Sequence, residues 1–142
     1  MNNYFETVHQ IIKAGHWITD QISRELRELD ATEPQYNVLR ILVGAKGQPL
    51  TVQEIQAKMI QRSSNVTRII DRLLSKDLVN RQECPTNRRK MDITITEKGQ
   101  EALKDLDKKV TAFHDPLKKR LDTEELNTLK LLIEKLTNNA HK

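Results

Sequence analysis

At 142 residues, 37% apolar and 31% charged with 4 Gly and 4 Pro, the chain is sized for one helix-rich folding unit, which excludes a fibrous or disordered polymer. No apolar run exceeds three residues, as at Ile41-Leu42-Val43, so a membrane-spanning helix and the apolar stretch of a signal peptide are excluded and a cytoplasmic protein is expected. The single cysteine, Cys84, excludes a disulfide framework and a multi-cysteine zinc site, and the net charge of +4 matters only in its placement: eight basic residues against three acidic ones between Arg62 and Lys90, a local +5.

In chain order, Val8, Ile11, Ile12, Ile18, Ile22, Leu26 and Leu29 recur at helical spacing and predict a long first helix from Tyr4 to Leu29. Thr32-Glu-Pro-Gln35 reads as a helix start, with Thr32 as N-cap, Pro34 in the first turn and Gln35 closing a capping box. Tyr36, Leu39, Ile41, Leu42 and Val43 then make a mostly buried second helix, ended by Gly44, Gly47 and Pro49. Thr51-Val-Gln-Glu54 is a second capping box and opens a short helix to about Met59.

Ser63 or Ser64 is expected to cap the next helix, whose apolar stripe is Val66, Ile69, Ile70, Leu73 and Leu74, with Asn65, Thr67, Arg68 and Arg72 largely on the other side. Asp77 is placed to end it in the left-handed conformation. The period then changes: Leu78 to Arg81 and Lys90 to Ile95 favour strands, with Cys84 to Arg89 as a basic hairpin tip. Thr96-Glu97 opens a helix to about Phe113, Asp115-Pro116 is expected to kink or break it, and Asp122 or Thr123 caps a last helix carrying Leu126, Leu129, Leu132, Ile133 and Leu136. The fold class is mainly α with a small β-hairpin wing (α+β).

A short helix, a tight turn, a second helix with a polar outer face and a basic two-stranded hairpin make a winged helix-turn-helix. The major groove of B-DNA admits one α-helix, whose N-terminal polar residues meet base edges. Those residues here are Arg62, Ser63, Ser64, Asn65, Thr67 and Arg68. Arg68 can pair with a guanine and Asn65 with an adenine, while Ser63, Ser64 and Thr67 suit phosphates or helix caps. Arg88 and Arg89 have the reach for a minor groove. The same spacing also fits Ser63 as a plain cap, solvated Arg68 and Arg72, and hairpin arginines that only keep a sheet edge soluble.

Three stretches shift that balance: Leu29 to Leu42 (LDATEPQYNVLRIL), Leu50 to Arg81 with its NVTRIIDRLLSKDLVNR, and Asn87 to Gly99 (NRRKMDITITEKG). Together they resemble the MarR (multiple antibiotic resistance regulator) family of bacterial winged-helix transcription factors over nearly the whole chain, with Arg89 at the wing's signature arginine. The chain departs from the family pattern at Asn87, where Asp is usual, at Asp77, where Gly is usual, and at Cys84, a position often acidic. The resemblance implies a sequence-specific DNA-binding regulator, a repressor on a palindromic operator, dimerised through its terminal helices. On that reading residues 32–95 form the winged helix-turn-helix, and 1–30 and 97–142 the dimerisation helices. Val8, Ile11, Leu126, Leu129, Ile133 and Leu136 agree, being apolar stripes with little else to cover them.

The resemblance also implies release by a small aromatic ligand, an oxidant or a metal. His16, Trp17 and Tyr36 are the candidates for an aromatic effector pocket, although core packing explains them too. Cys84, among Arg81, Arg88 and Arg89, is a candidate redox sensor. His9 and His16 are seven residues apart, His114 and His141 stand elsewhere, and without a close His pair no metal or cofactor is expected. No nucleophile-base constellation or phosphate-binding glycine loop marks an enzyme. The competing class is a winged-helix dimer that serves as a protein-binding adaptor, against which stands basic charge on both the recognition helix and the wing.

Overall fold

The computed structural model describes residues 2–138, so His141 lies outside the described residues. They form α1 (Asn3–Arg27), α2 (Glu33–Gly44), β1 (Leu50–Thr51), α3 (Val52–Lys58), α4 (Val66–Ser75), β2 (Val79–Cys84), β3 (Asn87–Ile95), α5 (Glu97–Lys118) and α6 (Thr123–Thr137). The backbone separates into two compact units, Met1–Val110 and Thr111–Lys142.

In the first unit, local chemistry sets most boundaries. Thr32 Oγ1 accepts the Gln35 amide and the Gln35 side chain returns to the Thr32 amide, the expected box at the head of α2. Thr51 and Glu54 repeat it at α3. The hydrogen bonds that the Glu54 carboxylate accepts from the backbone amide and then the side chain of Thr51 hold its pKa below the ordinary value. Asp77 takes φ 60° at the end of α4, as its position predicts, and Asp30 (φ 56°) does the same after α1. Lys76 spans the two ends, its ammonium donating to the Asp30 carbonyl and, at 3.2 Å, to Gln35 Oε1.

The core is built where α2, α3, α4 and the sheet meet, around Val38, Leu39, Ile55, Ile70, Leu73 and Ile93, with Leu26 as the contribution of α1. The sheet has three antiparallel strands in the order β1-β3-β2. Sequence periodicity gave no sign of β1, which exists only by pairing Leu50 with Ile93 and Thr51 with Asp92. Gly99, in the first turn of α5, is required by close approach: a Cβ there would lie 2.1 Å from the Leu78 carbonyl oxygen. Thr96 fixes that contact, donating to the Asp77 carbonyl at 2.8 Å and accepting the Gly99 amide at 2.9 Å.

Three expectations need correction. The cap of α4 is Asn65, not Ser63 or Ser64: Asn65 Oδ1 accepts the Arg68 amide at 3.1 Å. The hairpin tip is narrower than expected, because β2 runs to Cys84 and β3 starts at Asn87, which leaves only Pro85 and Thr86 in the turn and puts Arg88 and Arg89 inside β3. Pro116 does not break α5, which continues to Lys118; within the last turn it removes a single backbone bond.

The expected stripe of α1 is only partly buried. From Ile11 to Ile18 it is exposed, Ile12 by 52%. In the second unit, Asp122 caps α6 through a capping box with Glu125. None of the described residues of α6 is buried, and Leu132 is 58% exposed.

Candidate nucleic-acid interface

The high apolar asymmetry of α4 decides what it shows to solvent. Val66, Ile70 and Leu73 point into the core, so Thr67, Arg68, Asp71 and Arg72 are forced outward. Arg62, Ser63 and Asn65 are exposed in the turn before it, and Ser64 is half-buried. All six residues predicted on the recognition element thus lie within one turn of the start of α4 or in the turn leading to it, where helix amides and the positive end of the helix dipole favour an anion.

The wing is irregular where its charge is greatest. Glu83 pairs with Met91 and Cys84 with Asn87, so Arg88, Arg89 and Lys90 occupy β3 without opposing residues on β2. This bulge exposes all three side chains. Asn87 does not contact a guanidinium; its Oδ1 accepts the Arg89 amide at 3.0 Å and so holds the backbone of the bulge. Cys84 is half-buried beside the turn, its Sγ 3.3 Å from Thr86 Oγ1.

Recognition helix and wing converge. Thr67 and Ile70 of α4, Arg81 of β2 and Arg89 of β3 line one notch of about 230 Å³. Arg81 ties the two elements directly, donating to Asp71 at 2.9 Å. Among the described residues, Arg62, Arg68, Arg72, Arg88 and Arg89 make no ion pair, which leaves five permanent cations free for phosphates.

Sequence reasoning missed Arg81 as the strap between wing and helix, since an Arg ten residues from an Asp carries no periodic signal. It also missed Asn37 and Gln56, which hold the turn before α4. Asn37 Oδ1 accepts the Ile60 amide at 2.9 Å, and Gln56 Nε2 donates to the Arg62 and Ser64 carbonyls at 2.5 and 2.9 Å.

The candidate effector residues are not gathered. His16 and Trp17 are exposed on α1, Trp17 by 47%, so neither is packed in the core of the chain. Tyr36 is half-buried on α2, its hydroxyl donating to Asp107 Oδ1 of α5 at 2.6 Å, while Arg40 reaches both oxygens of Asp107 at 3.1 and 3.3 Å. Burial, then the bond to Asp107, pushes the Tyr36 phenol up to about 12. The cavity of about 420 Å³ beside Asp107 is lined by Leu42, Val43, Lys46, Leu103 and Lys104 among others, and by none of the three candidates. Among the described residues, no group of three or more His, Cys, Asp or Glu is placed to hold a metal ion, and no helix is long and apolar enough to cross a membrane.

The model of the MarR family matches residues 31–91. The chain is 29% identical over 128 residues to the HTH-type transcriptional regulator MhqR of Bacillus subtilis, covering 90% of this chain and 87% of that protein. Its fold is similar to that of an E. coli MarR mutant solved with operator DNA, with a TM-score of 0.79, 25% identity and coverage of 96% and 99% of the two chains. It is also similar to a MarR-like transcription regulator of Bacillus cereus, with a TM-score of 0.82, 23% identity and coverage of 95% and 96%.

Proposed function

We propose that this chain, which the MarR family model matches over residues 31–91 and which is 29% identical to the regulator MhqR, is a winged-helix transcriptional regulator of that family: a cytoplasmic repressor whose homodimer occupies a palindromic operator. The observation that carries this reading is the convergence of α4 and the wing, with Thr67 and Arg89 lining one notch, and five arginines on α4, the turn before it and β3 that make no ion pair among the described residues. On this reading α4 enters a major groove, where Thr67 and Arg68 face base edges, and Arg62, Ser63 and Ser64 lie against the phosphates. Asn65 gives its Oδ1 to the helix cap and keeps its amide nitrogen for a base or phosphate. Arg88 and Arg89, carried outward by the bulge, enter the flanking minor groove.

Two subunits related by a two-fold axis meet half-sites about 10 bp apart. A small aromatic effector would release the operator by changing the spacing of the two α4 helices. His16 and Trp17, exposed on α1, would line such a site once a second subunit covers that helix.

The test is binding of the purified protein to the intergenic DNA upstream of its own gene, against a scrambled duplex of equal length, at several salt concentrations. The expected outcome is a preference of about 10³ or more for the intergenic duplex, with affinity falling steeply as salt rises. Equal binding to both duplexes would reduce the protein to a non-specific binder of DNA. No binding to either would favour the protein-binding adaptor.

A further inference from the structure

We infer that Gln56 is a positioning residue that sets the sequence preference of this regulator without touching DNA, an inference that rests on the DNA-reading function proposed above. The segment between α3 and α4 has to place Arg62, Ser63, Ser64 and the first turn of α4, yet its backbone closes on itself through little more than the Ser64 amide on the Gln61 carbonyl, at 3.1 Å. Its remaining anchors are side chains. Asn37, buried on α2, takes the Ile60 amide at the start of the segment. Gln56, half-buried on α3, spends both protons of its amide nitrogen at the far end, one on the Arg62 carbonyl and one on the Ser64 carbonyl.

Two carbonyls two residues apart that converge on one nitrogen fix the curvature of the chain between them. Ser64 directly precedes Asn65, the cap of α4, so the same bond sets where the recognition helix begins.

Position matters unequally for the two kinds of DNA contact. Base-edge bonds from short side chains such as Thr67 fail when donor and acceptor drift by a few tenths of an ångström, whereas arginines on long stems follow a phosphate. Loosening the turn therefore removes preference before it removes affinity. The two carbonyls lie at a largely exposed turn, so water replaces the lost donors and the fold survives.

The test uses the full-length protein with Gln56→Met, which keeps length and volume but donates nothing, and Gln56→Glu, which sets a carboxylate against two carbonyl oxygens. In the free protein, the Ser64 amide, which donates to the Gln61 carbonyl inside the turn, should exchange with solvent about tenfold faster in Gln56→Met, with the amides of α2 and the sheet unchanged. In competition binding at fixed salt, the preference for operator over scrambled duplex should fall about tenfold or more, while affinity for the scrambled duplex and its salt dependence stay at the wild-type level. Gln56→Glu should show the larger loss. Wild-type exchange at the turn in Gln56→Met overturns the inference. So does an equal loss on both duplexes, or a loosened turn with preference intact. If the wild type itself prefers neither duplex, the regulator reading is what fails, and the exchange measurement still decides whether Gln56 holds the turn.

Discussion

Tyr36 shows how one residue can join two helices of the first unit. Its phenol is half-buried on α2 and donates to Asp107 of α5, whose carboxylate also accepts from Arg40. The folded phenol titrates at about 12 against 10.0 for the ordinary group. A group whose pKa is raised on folding contributes stability that is fully present below its unfolded pKa and is lost as pH rises through the folded one. The contribution of Tyr36 is thus intact below pH 10 and disappears towards pH 12. A shift of this size is nominally about 2.7 kcal/mol, but partial exposure screens it, and about 1 kcal/mol is expected. Urea unfolding of wild type and Tyr36→Phe at about pH 8 and about pH 11.5 measures it: the wild type should lose about 1 kcal/mol more than the variant between the two. Equal losses would mean that folding does not raise the Tyr36 phenol above its ordinary value. The partner of Tyr36 lies 71 residues away, so the sequence shows an aromatic on an apolar face and gives no hint of the carboxylate it meets.

At the scale of elements, local signals were legible wherever one residue type had one local role. The capping boxes at Thr32 and Thr51, the left-handed Asp77 and the stripe of α4 all follow from the sequence. The start of α4 was not legible, because Ser63, Ser64 and Asn65 are three consecutive residues each able to cap. Tertiary contacts choose between them: burial of Val66 fixes the helical phase, and Gln56 claims the Ser64 carbonyl. Asn65→Ala should therefore cost about 1 kcal/mol in urea unfolding, while Ser63→Ala should be neutral to within about 0.5 kcal/mol. A Ser63→Ala cost as large as that of Asn65→Ala would return the cap to the serine. The wing was legible as two basic strands, but its bulge was not. Three unpaired residues in β3 are a property of register, and register depends on pairing across the hairpin rather than on the composition of either strand.

For the whole molecule, the apolar stripes of the terminal helices were legible while their exposure was not, since periodicity marks an apolar face without marking what packs against it. On α1, Ile12 is 52% and Ile18 36% exposed; on α6, Leu129, Leu132 and Leu136 are 46%, 58% and 49% exposed. Apolar area of that extent is stable in water when a second copy buries it, and a two-fold axis makes each substitution count twice. Leu132→Glu leaves a free monomer almost unchanged, because the site is already in solvent, but in a dimer it removes a buried leucine from both copies. The loss expected is about 3–6 kcal/mol of association free energy. Sedimentation velocity should find the wild type as a dimer and Leu132→Glu shifted to monomer at the same concentration, with the urea midpoint of the monomer unaffected. Operator affinity should then fall by about 10² or more, because the second half-site is no longer tethered to the first, while affinity for an isolated half-site is retained. A wild type that sediments as a monomer would leave these stripes to a different protein and would remove the two-fold match between regulator and palindrome.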